Sequence, residues 1–98
     1  MIYEDLKQLE IPVAYLKFKK EIKPPYLIYI GAGQDTLCAD GKVYHKSNNY
    51  RLEYYFDKKD ENKENQLESF LADKGYTYTK SDDIYIRSED VSVIYYEI

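Results

Sequence analysis

The sequence predicts a small α+β domain, a mostly antiparallel sheet of about five to seven strands with two helices packed on one face. Apolar and aromatic residues alternate with a period of two along several stretches, the pattern of half-buried strands. Residues 57–75 instead place Leu67, Phe70 and Leu71 at helical spacing, behind an acidic start and ahead of Gly75. Connections between the predicted strands are short, which favours antiparallel neighbours and leaves both helices on one face. A chain of 98 residues suits one domain spanning 1–98.

Taken in order, Ile2, Leu6 and Leu9 recur at helical spacing and predict a short amphipathic helix over residues 3–10, closed by Pro12. VAYLKF (13–18) alternates as a strand, and the charged KKEIKPP connects it to YLIYIGAG (26–33). That is the most apolar run, so it reads as a central strand ended by Gly31 and Gly33. Gln34 to Asp40 carries no clear signal, and Ala39-Asp40-Gly41 reads as a turn in which Gly41 supplies a positive φ. KVYHKS (42–47) and YRLEYYF (50–56) flank Asn48-Asn49, two residues that tolerate left-handed backbone, so a tight hairpin is expected there. In the second of these strands Tyr50, Leu52, Tyr54 and Phe56 share one face, and Arg51, Glu53 and Tyr55 the other.

For the helix of 57–75, Asp57 or Asp60 is the expected N-cap and Gly75 the residue just beyond the end. YTYTK (76–80), DIYIR (83–87) and VSVIYYEI (91–98) follow as strands. Alternation is lost in IYYEI, which implies that the last strand is covered on both sides, by the domain or by a neighbouring subunit.

Composition narrows the function classes. Net charge is −4, with 18 acidic residues, so the chain as a whole repels nucleic acid. Lys17, Lys19, Lys20 and Lys23 form a local basic run whose simplest reading is a solvated edge. A single cysteine, Cys38, allows no internal disulfide and fits a reducing compartment. No apolar run approaches the ~18 residues of a membrane span, and no signal peptide is read, so a soluble intracellular protein is expected. Tyrosine is heavily used, with 13 copies against 3 Phe and no Trp. Its ring packs while its hydroxyl reaches water or a partner, which suits half-buried sheet positions and interfaces alike.

Catalytic chemistry finds little support. A nucleophilic site needs Ser or Cys with a histidine base and an orienting carboxylate; the sequence offers His45 and, seven residues away, Cys38. One His and one Cys give no zinc spacing. Asp57, Asp60, Glu61 and Glu64 lie close together, but capping and solubility explain them without a metal. GAGQD follows a strand yet lacks the third glycine and the helix of a phosphate-cradling loop. The reading is therefore of a non-enzymatic protein with no catalytic, cofactor or metal residues. Interface residues are expected at Tyr44, Tyr55, Tyr95 and Tyr96.

The sequence as a whole carries a resemblance. PPY, ADGKVYHK, the alternating strand ending YFDKKD, the helix with ENQLESFL and the closing EDVSVIYYEI resemble short prophage proteins of Gram-positive bacteria, encoded between head–tail joining proteins and the major tail protein. The likeness spans nearly the whole chain and rests on structural signatures, with no catalytic motif among them. It implies a tail-terminator-like or neck protein acting in head–tail joining or tail termination through subunit interfaces. It further implies a ring, often a hexamer, that can stay monomeric in isolation. The implied partners are the major tail protein and head-closure proteins, first in the host cytoplasm and then at the virion neck or tail. The competing expectation is a small acidic binding module or host-directed regulator, including a DNA mimic.

Overall fold

A computed structural model of the chain describes the backbone of residues 2–39 and 42–98, and the side chains of these residues apart from residue 2 and residues 34–48. It is an α+β fold, a six-stranded mixed, mostly antiparallel sheet with two helices. The elements are α1 (Ile2–Leu6), β1 (Val13–Tyr15), β2 (Tyr26–Ala39), β3 (Lys42–Phe56), α2 (Glu61–Asp73), β4 (Thr79–Lys80), β5 (Ile84–Ile86) and β6 (Val91–Glu97). Strand order is β1-β2-β3-β6-β4, with β5 also paired to β6. β1 runs parallel to β2, and every other pairing is antiparallel.

Register assigns each side chain to a face. Leu27 opposes Tyr54, which opposes Ile94; Tyr29 opposes Leu52, which opposes Tyr96. These residues share one face with Phe56 and meet Leu6 of α1 and Leu67 and Leu71 of α2 in a single core. Both helices therefore pack on the same side, as the short connections require. The opposite face carries Tyr26, Ile28, Glu53, Tyr55, Val93 and Tyr95. Val93 and its neighbour Ile94 point to opposite faces and are both fully buried. Burial on both faces is thus confined to Val93 and Ile94; beyond them alternation holds, with Tyr96 buried, Tyr95 half-buried and Glu97 exposed, on a strand held between β3 and the short strands β4 and β5.

β4 and β5 are two pieces of one edge. Thr79 and Lys80 pair with Glu97 and Tyr96, then the register shifts by one before Ile84 pairs with Val93. Ser81 spans the shift: its backbone N–H donates to the Tyr95 carbonyl at 2.9 Å, and its hydroxyl accepts the Tyr95 N–H at 2.8 Å. A bulge of this kind bends an edge strand and spoils it as a template for further pairing.

The second helix is defined by its ends. Asp60 is the N-cap, its carboxylate accepting the N–H groups of Asn62 at 3.0 Å and Lys63 at 3.3 Å. At the other end Gly75 adopts φ +86. There the Gly75 N–H reaches the Ala72 carbonyl and the Tyr76 N–H the Leu71 carbonyl, which satisfies the last orphan acceptors. The helix begins at Glu61, four residues later than the composition of 57–75 suggested, because the Asp60 cap outcompetes Asp57.

Other boundaries also move. α1 stops at Leu6, after which Gln8 and Leu9 bond three residues back and the helix tightens into turns. β1 stops at Tyr15 because Leu16 takes φ +65 and leads the chain away from the sheet. The largest correction concerns the expected hairpin at Asn48-Asn49. β3 runs unbroken from Lys42 to Phe56, Asn48 pairs with Gln34, and the two predicted strands of 42–47 and 50–56 are one. β2 likewise continues to Ala39, through the stretch that carried no clear signal. The expected turn at Ala39-Asp40-Gly41, including its positive φ, falls at residues 40–41, outside the described residues.

The Gly and Asn residues that resembled strand ends mark a bulge instead. Gly31 pairs with Tyr50 and Gln34 with Asn48, so Ala32 and Gly33 face Asn49 alone. Gly33 supplies the positive φ, +98, that such a kink needs. Beyond it β2 and β3 pair only with each other, among the described residues, and leave the body as a two-stranded arm. A strand rises about 3.3 Å per residue, so the arm is on the order of 25 Å long. Correspondingly the molecule measures 50 × 28 × 25 Å with a radius of gyration of 15.1 Å, against about 13 Å for a compact domain of this size.

Candidate functional site

Three regions concentrate polar and aromatic chemistry: the junction of α2 with the sheet, the sheet face opposite the helices, and the arm. At the junction Glu64 is buried at 2 % exposure on the inward stripe of α2. Its Oε1 accepts from Lys59 Nζ at 2.9 Å and from Lys80 Nζ at 3.0 Å, while Oε2 lies 2.8 Å from Lys59 as an ion-pair contact without a directed hydrogen bond. One turn on, Glu68 accepts from Lys80 at 3.0 Å, from the Tyr96 hydroxyl at 2.8 Å and from the Tyr78 hydroxyl at 3.3 Å. Lys59 also pairs with Asp83 at 3.0 Å. Burial alone would raise the Glu68 pKa, but the Lys80 ammonium and the Tyr96 hydroxyl outweigh it and hold the group below the usual carboxylate range. Burial, reinforced by Glu68, pushes the Tyr96 hydroxyl well above its ordinary value. These partners satisfy buried polar groups and clamp α2 onto β4 and β6, which is a structural role.

The sequence carried a signal for this network that the reading by composition missed. Glu64, Leu67, Glu68 and Leu71 fall at i, i+3, i+4 and i+7, so two carboxylates share the inward side with the leucines. Of the four acidic residues considered as a carboxylate cluster, Asp60 caps the helix and Glu64 faces two lysines. Among the described residues no group of three or more His, Cys, Asp or Glu is placed to hold a metal ion.

On the opposite face Tyr26 and Tyr55 stack with ring centroids 4.9 Å apart, and Phe18 meets Tyr26 edge-on at 5.3 Å. Tyr55 donates to Glu53 Oε1 at 2.7 Å, and Arg51 pairs with Glu53 Oε2 at 3.2 Å while its guanidinium lies 5.2 Å from the Tyr95 ring centre. Burial, then the hydrogen bond to Glu53, raises the Tyr55 pKa well above its ordinary value. At neutral pH Tyr55 is therefore a hydrogen-bond donor and not a phenolate nucleophile. Lys17, Lys20 and Lys23 sit on the crossover between β1 and β2, which borders this face. With Phe18, Ile22 and Tyr26 they line a groove of about 810 Å³.

The structure divides the four residues expected at interfaces. Tyr55 and Tyr95 stand on adjacent strands of the face opposite the helices, half-buried. Tyr96 does not join them: its side chain is fully buried against α2, so that expectation is corrected. Alternation along a strand separates the two neighbours. Tyr44 is the extra residue of a second bulge, since Leu37 pairs with His45 and Cys38 with Val43. Its side chain lies outside the described residues, as do those of His45 and Cys38.

GAGQD is the root of the arm, a strand that bulges and continues, with no helix after it to present N–H groups to a phosphate. Around this root Tyr29 stacks on Tyr3 at 5.9 Å and meets Tyr15 edge-on at 5.1 Å, with Tyr50 at 6.3 Å. Tyr3 and Tyr15 are exposed. A second groove, of about 410 Å³, lies at the foot of the arm on its β3 side, lined by Ala32, Asn49, Tyr50, Tyr78, Glu97 and Ile98 among others. The ladder between β3 and the last strand ends there, where Tyr50 and Ile98 exchange both backbone hydrogen bonds, at 2.9 and 3.2 Å. No protein-family model matches this sequence, and neither curated proteins nor solved structures give a match.

Proposed function

We propose that this protein is a non-enzymatic assembly component that acts through subunit contacts. In the setting its sequence resemblance implies, that is the neck or tail end of a long-tailed phage, in head–tail joining or tail termination. The observation that carries the reading is the two-stranded arm. An isolated two-stranded ribbon is marginal in water, because it has no third strand and no core of its own. Fourteen- and fifteen-residue strands that run past their sheet serve no purpose in the monomer's core. The Tyr26–Tyr55 stack with Tyr95 and Arg51 adds a surface of the residue types enriched at interface centres.

The reading is tested by deleting the gene from an inducible prophage that encodes it. The expected result is unjoined heads and aberrant tails, restored by the intact gene in trans. Normal yields of infectious particles would sink it. A stoichiometric host protein captured by the chain, with particle assembly unaffected, would replace it with the host-directed binding module.

A further inference from the structure

We infer that the arm is an edge-pairing clasp between copies of this chain, the β2 edge of one arm taking the β3 edge of the next. This rests on the assembly reading above and names the partner as a second copy.

The argument begins with hydrogen bonds. On the body, β2 is covered on its outer edge by β1 as far as Tyr29, and β3 by β6 as far as Tyr50, opposite Ile98. Past those points, from Ile30 to Ala39 and from Lys42 to Asn49, each arm strand pairs only with the other among the described residues. Each therefore has an edge of backbone N–H and C=O groups with no described strand beside it. Long open edges are templates for strand addition, by the same chain or another. The body's far edge is treated differently, since β4 and β5 are short and bulged.

Geometry favours a copy as the occupant. β2 runs outward along the arm and β3 runs back. Two arms laid side by side and pointing the same way thus present an outward strand to a returning one, the antiparallel relation already present inside each arm. That contact uses a different edge on each partner, so every copy added satisfies one edge and offers another. A foreign peptide would satisfy one edge and leave the second open. The third strand that a copy supplies also lifts the ribbon above the two-stranded limit.

Charge agrees. Between residues 34 and 39 the outgoing strand carries one charge, Asp35; between 42 and 47 the returning strand carries Lys42 and Lys46. Inside the arm Asp35 pairs with Ser47 and Thr36 with Lys46, so repeating that register between copies sets Asp35 of one and Lys46 of the next on adjoining rungs and opposite faces, a longer-range attraction and not a direct cross-strand pair. Lysine on an edge strand discourages indiscriminate pairing, and an acidic residue on the opposite edge eases pairing with a copy. The arm is also where acidic subunits can approach. Residues 34–48 hold two acidic and two basic residues, while the whole chain has net charge −4.

The test uses the full chain with Asp35→Lys and Lys46→Glu as separate variants, followed by sedimentation velocity and backbone hydrogen exchange over a range of protein concentrations. The native chain should associate as concentration rises, with arm amides gaining protection while those of β6 stay as they are. Each single reversal places like charges on adjoining rungs of the two edges and should weaken association several-fold. An equimolar mixture of the two should restore it, because the β2 edge made basic in one variant then meets the β3 edge made acidic in the other. No arrangement of a non-arm interface predicts that rescue. Circular dichroism of each variant checks that the body is folded. Concentration-independent exchange in the native arm, or reversals that leave association unchanged, would overturn the inference. If the gene-deletion phenotype holds while arms never pair, the clasp is wrong and the assembly role stands. If arms pair but deletion has no effect on particles, self-association stands and the particle role falls.

Discussion

The body and the arm of this protein are built from the same two strands under opposite rules. From Tyr26 to Ile30 and from Arg51 to Phe56, β2 and β3 are interior strands of a sheet, with two helices on one face and nine mutually packed buried residues beneath them. Past the bulge at Gly31–Gly33 the same strands have, among the described residues, only each other beside them. In the body the inward carboxylates of α2 have partners, Glu64 with two lysines and Glu68 with a lysine and two tyrosines. Stability resides in one region and unused bonding capacity in the other, and this division can be tested by perturbing each in turn.

The largest effect is expected in the core. Leu52 is fully buried on the central strand, and Leu52→Ala should cost ~2–5 kcal/mol in denaturant unfolding, by lost burial and the cavity left behind. Glu64→Ala comes next. It removes a buried carboxylate that holds two lysines, leaving Lys59 with Asp83 and Lys80 with Glu68, and should exceed the ~0–1 kcal/mol of an ordinary surface pair. Because both lysines are partly exposed, the loss should stay below that of Leu52→Ala. Asp60→Ala removes the cap of α2 and should cost about 1 kcal/mol.

Smaller, but specific in sign, are the pH effects. Burial and the hydrogen bond to Asp5 push the Tyr76 hydroxyl up to about 12, so the folded state holds this proton more tightly than the unfolded chain. Stability from this group is complete below about pH 10 and is lost as pH rises toward about 12. Tyr76→Phe should flatten that part of the alkaline unfolding curve. Glu68 has the opposite sense: its lowered folded pKa stabilises the fold above the ordinary carboxylate range and is lost as pH falls through it. The smallest expected change is from the arm. Replacing residues 34–48 with a two-residue Asn-Gly turn should leave the thermal midpoint of the body within a few degrees of the full chain.

How much of this was legible in the sequence depends on which signals were local. Period-two alternation gave the faces of β3 correctly, because Tyr50, Leu52, Tyr54 and Phe56 are read against one core. Asp60 and Gly75 bounded α2 because caps act within a few residues. The arm was not legible, and the reason is physical. Glycine and asparagine mark any site that needs unusual backbone, and a bulge needs it as much as a turn does. Gly31, Gly33, Asn48 and Asn49 therefore read as strand ends when they sit across from each other at the arm's root. The Glu64–Lys80 and Glu68–Tyr96 contacts join residues far apart in sequence, so only the paired helical spacing of the carboxylates hinted at them. Tyr95 and Tyr96 were grouped by adjacency, which alternation along β6 then divided between surface and core.

The central claim is that the body folds by itself and the arm makes the contacts, and one measurement addresses it most directly. The arm-less chain, supplied in trans to a prophage that lacks the gene, is compared with the full chain for yield of joined, infectious particles. The account predicts a soluble arm-less protein with a near-native unfolding midpoint that fails to restore them. Particle yields restored to the level of the full chain would contradict it.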